Sequence, residues 1–249
     1  MIEKYLIKLI NFYKNFLEVK YKKIVLKKMP EIKDILKKTN STGISFQDMF
    51  CLYSDIVKIK PKTILECGAG VSTIVISLAL EENFKKNKIK AKLISIEDKK
   101  KYFLNLKKIF PKRLKKFTKI IIRDSIEKNY LFYTGRGYKN IPKLNYDYIF
   151  IDGPNSYSKV LKTKMFNYDL LEILKFSKGN INGLIDERIS TVKVYQDIFK
   201  DKVKYNFLTN FSFIRNINKS LLPFPHKGVD KVFAFRFKRR YLKNIFTIN

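Results

Sequence analysis

The 249-residue chain has no tryptophan, a single histidine, two cysteines, seven prolines and nine glycines. With His226 as the only imidazole, a histidine-based triad is not expected, and no Cys/His spacing suggests zinc. Cys51 and Cys67 cannot build the disulfide framework of a small secreted domain; they read as reduced thiols in a cytoplasmic protein. No apolar run approaches the ~18 residues that a membrane span needs. The opening MIEKYLIKLINFYKNF breaks its apolar residues with lysines and offers no small-residue cleavage site, so no signal peptide is expected. Acidic residues are short as well, 22 against 53 basic ones, for a formal net charge of +31.

That charge invites a nucleic-acid reading. The excess is almost all lysine, however, and it accompanies abundant Ile, Asn, Phe and Tyr, the usage that an AT-rich coding sequence produces in any protein. Arginine, suited to bidentate phosphate recognition, is scarce. Compositional bias is therefore preferred to a dedicated nucleic-acid surface. Either way, weak attraction to anionic partners that fades with salt is expected.

What is present divides the chain in two. Residues 1–42 read as a basic helical arm: Tyr5, Leu6, Leu9, Ile10, Tyr13 and Leu17 recur at helical spacing with lysines between, Pro30 interrupts, and Glu31–Lys38 resumes. Such an arm packs on the main domain or on a second subunit of a homodimer; a weak association with a membrane surface is the sharper alternative. Asn40 to Gly43 makes a hinge. Residues 43–249 alternate strand and helix. A helix is expected over Ser45–Ile59, a strand over Thr63–Cys67, a helix over Ser72–Glu82 and a strand over Lys92–Glu97. A helix over Lys99–Ile109, strands over Lys119–Arg123 and Tyr146–Ile151 and a helix over Val160–Leu174 follow. The last are a strand over Ile181–Ile185, a helix over Thr191–Phe199 and strands over Val203–Leu208 and Val232–Phe237. This predicts an α/β domain, a mostly parallel Rossmann-like sheet with helices on both faces.

In such sheets ligands bind beyond the carboxyl ends of the strands. Five strands here end in acids: Glu66 before Cys67-Gly68-Ala69-Gly70, Glu97-Asp98, Asp124-Ser125, Asp152-Gly153-Pro154 and Asp186-Glu187-Arg188. The glycine turn 64-ILECGAGVST-73 lacks the Gly-Lys-Ser/Thr of a Walker loop. As a dinucleotide fingerprint it would want a glycine at Thr73, and Glu66 would face a pyrophosphate poorly. A carboxylate there favours a cationic ligand, and S-adenosylmethionine carries both a sulfonium and an ammonium. Glu97 is placed to accept from ribose hydroxyls, and Asp124, with Ser125 beside it, from an adenine amino group.

The ordered set Glu-x-Gly-x-Gly, the second-strand acid, 123-RDS-125 and 146-YDYIFIDGP-154 resembles a class I S-adenosylmethionine-dependent methyltransferase of the small-molecule O-methyltransferase type, over about Ser45 to Phe237. The resemblance implies a seven-stranded sheet whose last strand is antiparallel and lies beside the fifth. It implies that Glu66 binds the methionine amino group, that Gly68 and Gly70 admit the cofactor, and that Glu97 and Asp124 hold ribose and adenine. Ser72 stands where many members have a third glycine. It further implies methyl transfer to a hydroxyl of a small molecule or glycan precursor.

The segment 150-FIDGPNSY-157 is similar to that of metal-dependent catechol-type members, so Asp152, Asp186 and Glu187 are candidate Mg²⁺ ligands and Asp152 the candidate catalytic acid or base. Against the metal, the second acid of that segment is Pro154 or Asn155 here. Asp152 can instead contact the cofactor, with an Asp186–Arg188 ion pair beside it. The stretch 133-YTGRGYKN-140 reads as a loop, either a lid or a plain connection, and Tyr205–Phe213 as core and acceptor-pocket wall. An RNA methyltransferase and a non-catalytic module keeping the fold are the remaining alternatives.

Overall fold

The structure is a computed structural model that describes residues 2–39, 44–158, 161–206, 209 and 211–222, with side chains from residue 12 onward except residue 14. The expected hinge 40–43, the strand expected at 232–237 and His226 lie outside the described residues.

Along the chain, the helices α1 (Ile2–Lys28), α2 (Ile32–Lys38) and α3 (Phe46–Ile59) precede strand β1 (Thr63–Cys67). Helix α4 (Val71–Asn87), β2 (Lys92–Glu97), α5 (Lys100–Ile109) and β3 (Thr118–Ile122) follow. A hairpin comes next, β4 (Ser125–Tyr130) and β5 (Tyr133–Tyr138), and then β6 (Tyr148–Ile151). Three two-residue strands, β7 (Tyr157–Ser158), β8 (Thr163–Lys164) and β9 (Phe166–Asn167), lead to α6 (Asp169–Leu174). The described part closes with β10 (Ile181–Asp186), α7 (Ile189–Phe199), β11 (Val203–Tyr205) and β12 (Phe211–Ile217).

Seven of these strands form one sheet in the order β11-β12-β10-β6-β1-β2-β3. The pairs β10–β6, β6–β1, β1–β2 and β2–β3 are parallel, and β12 enters antiparallel between β10 and β11. Each central strand is apolar on both sides, as a sheet covered on both faces requires. Ile64, Leu93, Tyr148, Phe150 and Leu184 face one core with α3, α4 and the arm; Leu65, Ile94, Ile149, Ile151 and Ile185 face the other, with α6 and α7. The expected architecture, strand count and antiparallel last strand are all present.

Three expectations are corrected. Residues 133–140 are not a loop: β5 pairs with β4 antiparallel and with β9 in parallel, and Gly135 and Gly137 let Phe166 and Asp169 come against its backbone. The helix expected over 160–174 is helical only in α6, because the preceding residues are tied elsewhere. Met165 N–H donates to Ser156 O at 2.8 Å, and Asn167 N–H to Thr191 Oγ1 at 2.9 Å. The antiparallel strand is β12, which begins inside the Tyr205–Phe213 stretch read as core and pocket wall and runs on to Ile217, where no strand was expected.

The arm is anchored by its second half. Leu17, Val25 and Met29 are buried, and Tyr21 stacks on Phe50 with ring centroids 4.9 Å apart. Glu18 accepts from the N–H groups of Phe46 (2.7 Å) and Gln47 (3.0 Å), placing a carboxylate at the positive end of α3. Ser45 caps the same helix as expected, accepting from Asp48 N–H at 3.1 Å.

Candidate functional site

Beyond the carboxyl ends of β1, β2, β6 and β10 lies an open cleft of about 720 Å³. Its floor is backbone. Gly68 has φ +96°, which L side chains rarely adopt, and a Cβ there would come within 2.7 Å of Gly153 N. The turns after β1 and β6 therefore touch main chain to main chain.

Glu66 lies beneath this floor, 0% exposed. Ser72 Oγ donates to its Oε1 at 2.6 Å, which accounts for serine at that position, whereas Oε2 has no hydrogen-bonding partner. Burial pushes its carboxyl up to about 7, against the lowering pull of the Ser72, Ser95 and Thr73 hydroxyls. Thr73 is also buried; its Oγ1 accepts from Gly70 N–H at 3.0 Å and closes the first turn of α4.

Glu97 ends β2 inside the cleft. Its Oε2 accepts from Ala69 N–H at 3.1 Å and its Oε1 from Lys99 N–H at 2.9 Å. Burial, reinforced by the neighbouring charge of Asp98, raises it to about 7. Asp98 lines the cleft as well, and its Oδ2 accepts from Ser125 Oγ at 2.9 Å. Asp124 is exposed, and neither it nor Ser125 lines the cleft. The structure thus brings Gly68, Gly70, Ser72, Glu97, Asp152, Asp186 and Glu187 to one cavity with Glu66 and Thr73 directly behind them, and leaves Asp124 and Ser125 at its margin.

Asp152 and Asp186 face each other across the cleft. Desolvation among its neighbours raises Asp152, although 47% of its side chain is exposed to solvent, and the Arg188 guanidinium and a hydrogen bond with Asp186 oppose that rise. Asp186 is pushed up to about 8 by burial and then by the charges of Asp152, Asp48 and Glu187. Arg188 does not pair with Asp186: it donates to Pro154 O (2.8 Å) and to Asp152 O, and its Nη2 lies 3.8 Å from Asp152 Oδ1. Among the described residues no three His, Cys, Asp or Glu side chains form a group able to hold a metal ion.

One cleft residue, Tyr138, escaped the sequence reading, and another, Arg188, was given a different partner. Tyr138, fully buried at the end of β5, aims a hydroxyl without a partner toward Gly153. Arg188 clasps the turn after β6. An aromatic ending an alternating stretch and an arginine two residues past β10 were the only available signals.

The chain is similar to cofactor-bound Rv0187 from MTB with a TM-score of 0.50 and 12% identity, covering 76% of this chain and 90% of that one. With the strand order above, this settles the architecture. The fold is a Rossmann-like α/β fold with one antiparallel strand inserted beside its fifth parallel strand. A methyltransferase from Geobacter sulfurreducens (TM-score 0.48, 11% identity, 77% and 88% covered) and an O-methyltransferase from Bacillus cereus in complex with SAH (0.44, 12%, 77% and 90%) are also similar. No protein-family model matches the chain, and no curated protein matches it by sequence. The β4–β5 hairpin stands, in chain order, between the third and fourth parallel strands of the sheet. Arg136 reaches from it to Tyr157 O (3.1 Å) and Asn155 O (3.3 Å), holding the cleft wall beyond β6.

Proposed function

We propose that this chain is an S-adenosylmethionine-dependent methyltransferase that methylates a hydroxyl of a small molecule or glycan precursor in the cytoplasm. The observation that carries the reading is Glu66: a fully buried carboxylate with one oxygen lacking a partner, under a turn that only glycine can make at residue 68. An ammonium, directly or through a water, satisfies such an oxygen, and a phosphate does not. The residues therefore fit the cofactor.

Bound S-adenosylmethionine supplies an activated methyl on a sulfonium, whose sulfur keeps the bonding electron pair when the methyl moves to the acceptor oxygen. The chain's own part is orientation and proton removal. Glu97, fixed by two backbone N–H groups, retains lone pairs for ribose hydroxyls. Asp124 and Ser125 stand at the adenine end, where Asp98, held by Ser125, is nearer the cavity. Asp152, beside the Arg188 guanidinium and hydrogen-bonded with Asp186, takes the proton of the acceptor hydroxyl. Thr39 at the end of the arm, Ile44 just before α3, and Tyr102 and Leu106 of α5 line the cleft and would form the wall on the acceptor side. No step is assigned to a metal.

Calorimetry with S-adenosylhomocysteine tests the reading. Saturable binding by the wild type and none by Gly68→Val is expected; absence of wild-type binding overturns it. Cofactor binding with no labelled acceptor in a cell extract would point to a non-catalytic module.

A further inference from the structure

The first helix carries two faces. One, Leu17, Tyr21 and Val25, is spent on α3, as described above. The other has no partner among the described residues: Phe12 is 72% exposed, Phe16 59% and Val19 60%, at spacings of four and three residues that put them on one stripe. Lys23 continues the stripe one turn further, and Lys20 and Lys27 flank it, all exposed. Two aromatics and a valine left in water beside lysines on the same helical surface need a reason, because single exposed apolar residues are ordinary but a stripe is not.

We propose that this outer face of α1 docks on an anionic lipid bilayer, with Phe12, Phe16 and Val19 entering the boundary between headgroups and acyl chains and Lys20, Lys23 and Lys27 meeting lipid phosphates. Charge complementarity selects the occupant. Between residues 12 and 28 the helix has one acid, Glu18, and that carboxylate is engaged on the N-terminus of α3. A second copy docking through the same face would set lysines against lysines with no counter-charge between them, on chains that each carry +31. A nucleic acid would satisfy the lysines but would leave Val19, which has no π face, without a use. An anionic bilayer satisfies both halves of the surface at once.

The test uses the full-length chain, sedimented with vesicles of phosphatidylcholine alone and with vesicles also containing phosphatidylglycerol. Co-sedimentation is expected with the anionic vesicles only. The variant Phe12→Ser/Phe16→Ser/Val19→Ser is expected to lose about tenfold or more in partitioning, since each side chain forfeits its apolar burial. Lys20→Glu and Lys23→Glu are each expected to lose about fivefold. All these positions are exposed, so circular dichroism should show unchanged helix content. Because the chain has no tryptophan, Phe16→Trp supplies a single indole whose emission should move to the blue when anionic vesicles are added. No binding to anionic vesicles, undiminished binding by the triple-serine variant, or an unshifted indole on vesicle-bound protein would overturn the proposal. So would a dimer in free solution that the triple-serine variant alone converts to monomer, or complete displacement of the protein from vesicles by RNA.

Discussion

The two sides of the cleft are built by different means. On the side of β1 and β2 the contacts that shape the site are short-range within one βαβ unit: Gly70 N–H to Thr73, Ser72 to Glu66, Ala69 N–H to Glu97. On the side of β6 the site is held from outside its own strand. Arg136 grips residues 155 and 157, Asn167 Nδ2 donates to Gly153 O at 2.7 Å, and Asp169 Oδ1 accepts from Tyr138 N–H at 2.7 Å. The first side is a local motif that tolerates little change; the second is an assembly of distant segments whose parts can be loosened one at a time. Damage to the first should therefore remove ligand binding, whereas damage to the second should lower stability and acceptor handling first.

The largest effect is expected at the floor. Gly68→Val combines a strained φ with a clash against Gly153, should cost on the order of 3 kcal/mol, and should abolish S-adenosylhomocysteine binding by calorimetry. Asp169→Ala breaks the opposite side. It strips acceptors from Tyr138 N–H and from Asn167, so about 3 kcal/mol of stability should be lost in urea unfolding, while the fraction that remains folded still binds S-adenosylhomocysteine. Equal loss of binding in the two variants would erase the contrast. Glu66→Gln should weaken binding about tenfold at pH 8, where the wild-type carboxyl is ionised, and much less at pH 6, where it holds a proton. The wild-type affinity should accordingly rise with pH between those values, and the glutamine variant should rise less. Smallest is Arg136→Met, about 1 kcal/mol of stability, expected to raise KM for the acceptor with little change in cofactor affinity.

A pH series addresses both sides together. Glu66 and Glu97 are raised to about 7, Asp169 to about 6 and Asp186 to about 8, each mainly by burial. Between about pH 4, where the unfolded carboxyls ionise, and these values the folded chain binds more protons than the unfolded one. Stability of the ligand-free protein should thus fall as pH rises from 5 to 8, read as a falling midpoint in urea. Below that window it should fall again as Glu81, Glu82 and Glu172, which are held low by their basic or hydroxyl partners, become protonated.

The same division explains what the sequence could reveal. β1, the glycine turn and α4 were legible because apolar runs, glycines and a hydroxyl cap act within a few residues of one another. Glu66, Glu97, Asp152 and Asp186 were legible as strand-end acids, since strand ends are set by the same local pattern. The β4–β5 hairpin was not: Gly135 and Gly137 read as flexibility, yet they are the positions where Phe166 and Asp169 approach the strand. Residues 160–168 carry helical spacing, but pairing with Ser156 and Thr191, distant in sequence, overrides it. The place of Asp124 outside the cavity follows from Lys139 N–H bonding its carbonyl at 2.8 Å, a contact between strands that no local pattern announces. Arg188 was visible as a charge, but its choice of Asp152 and Pro154 over Asp186 depends on how the turns after β6 and β10 meet.

The contact between Gly68 and Gly153 has one more consequence. Where main chain rests on main chain there is no side chain to exchange, so the distance between the two turns is a constant of the molecule. For the proposed transferase, a change in the compound accepted is then expected from the panels around that fixed plate: Thr39 and Ile44 where the arm meets the main domain, Tyr102 and Leu106 from α5, and the stretch that Arg136 holds in place. An engineer seeking a new acceptor would leave the plate alone and recut the panels.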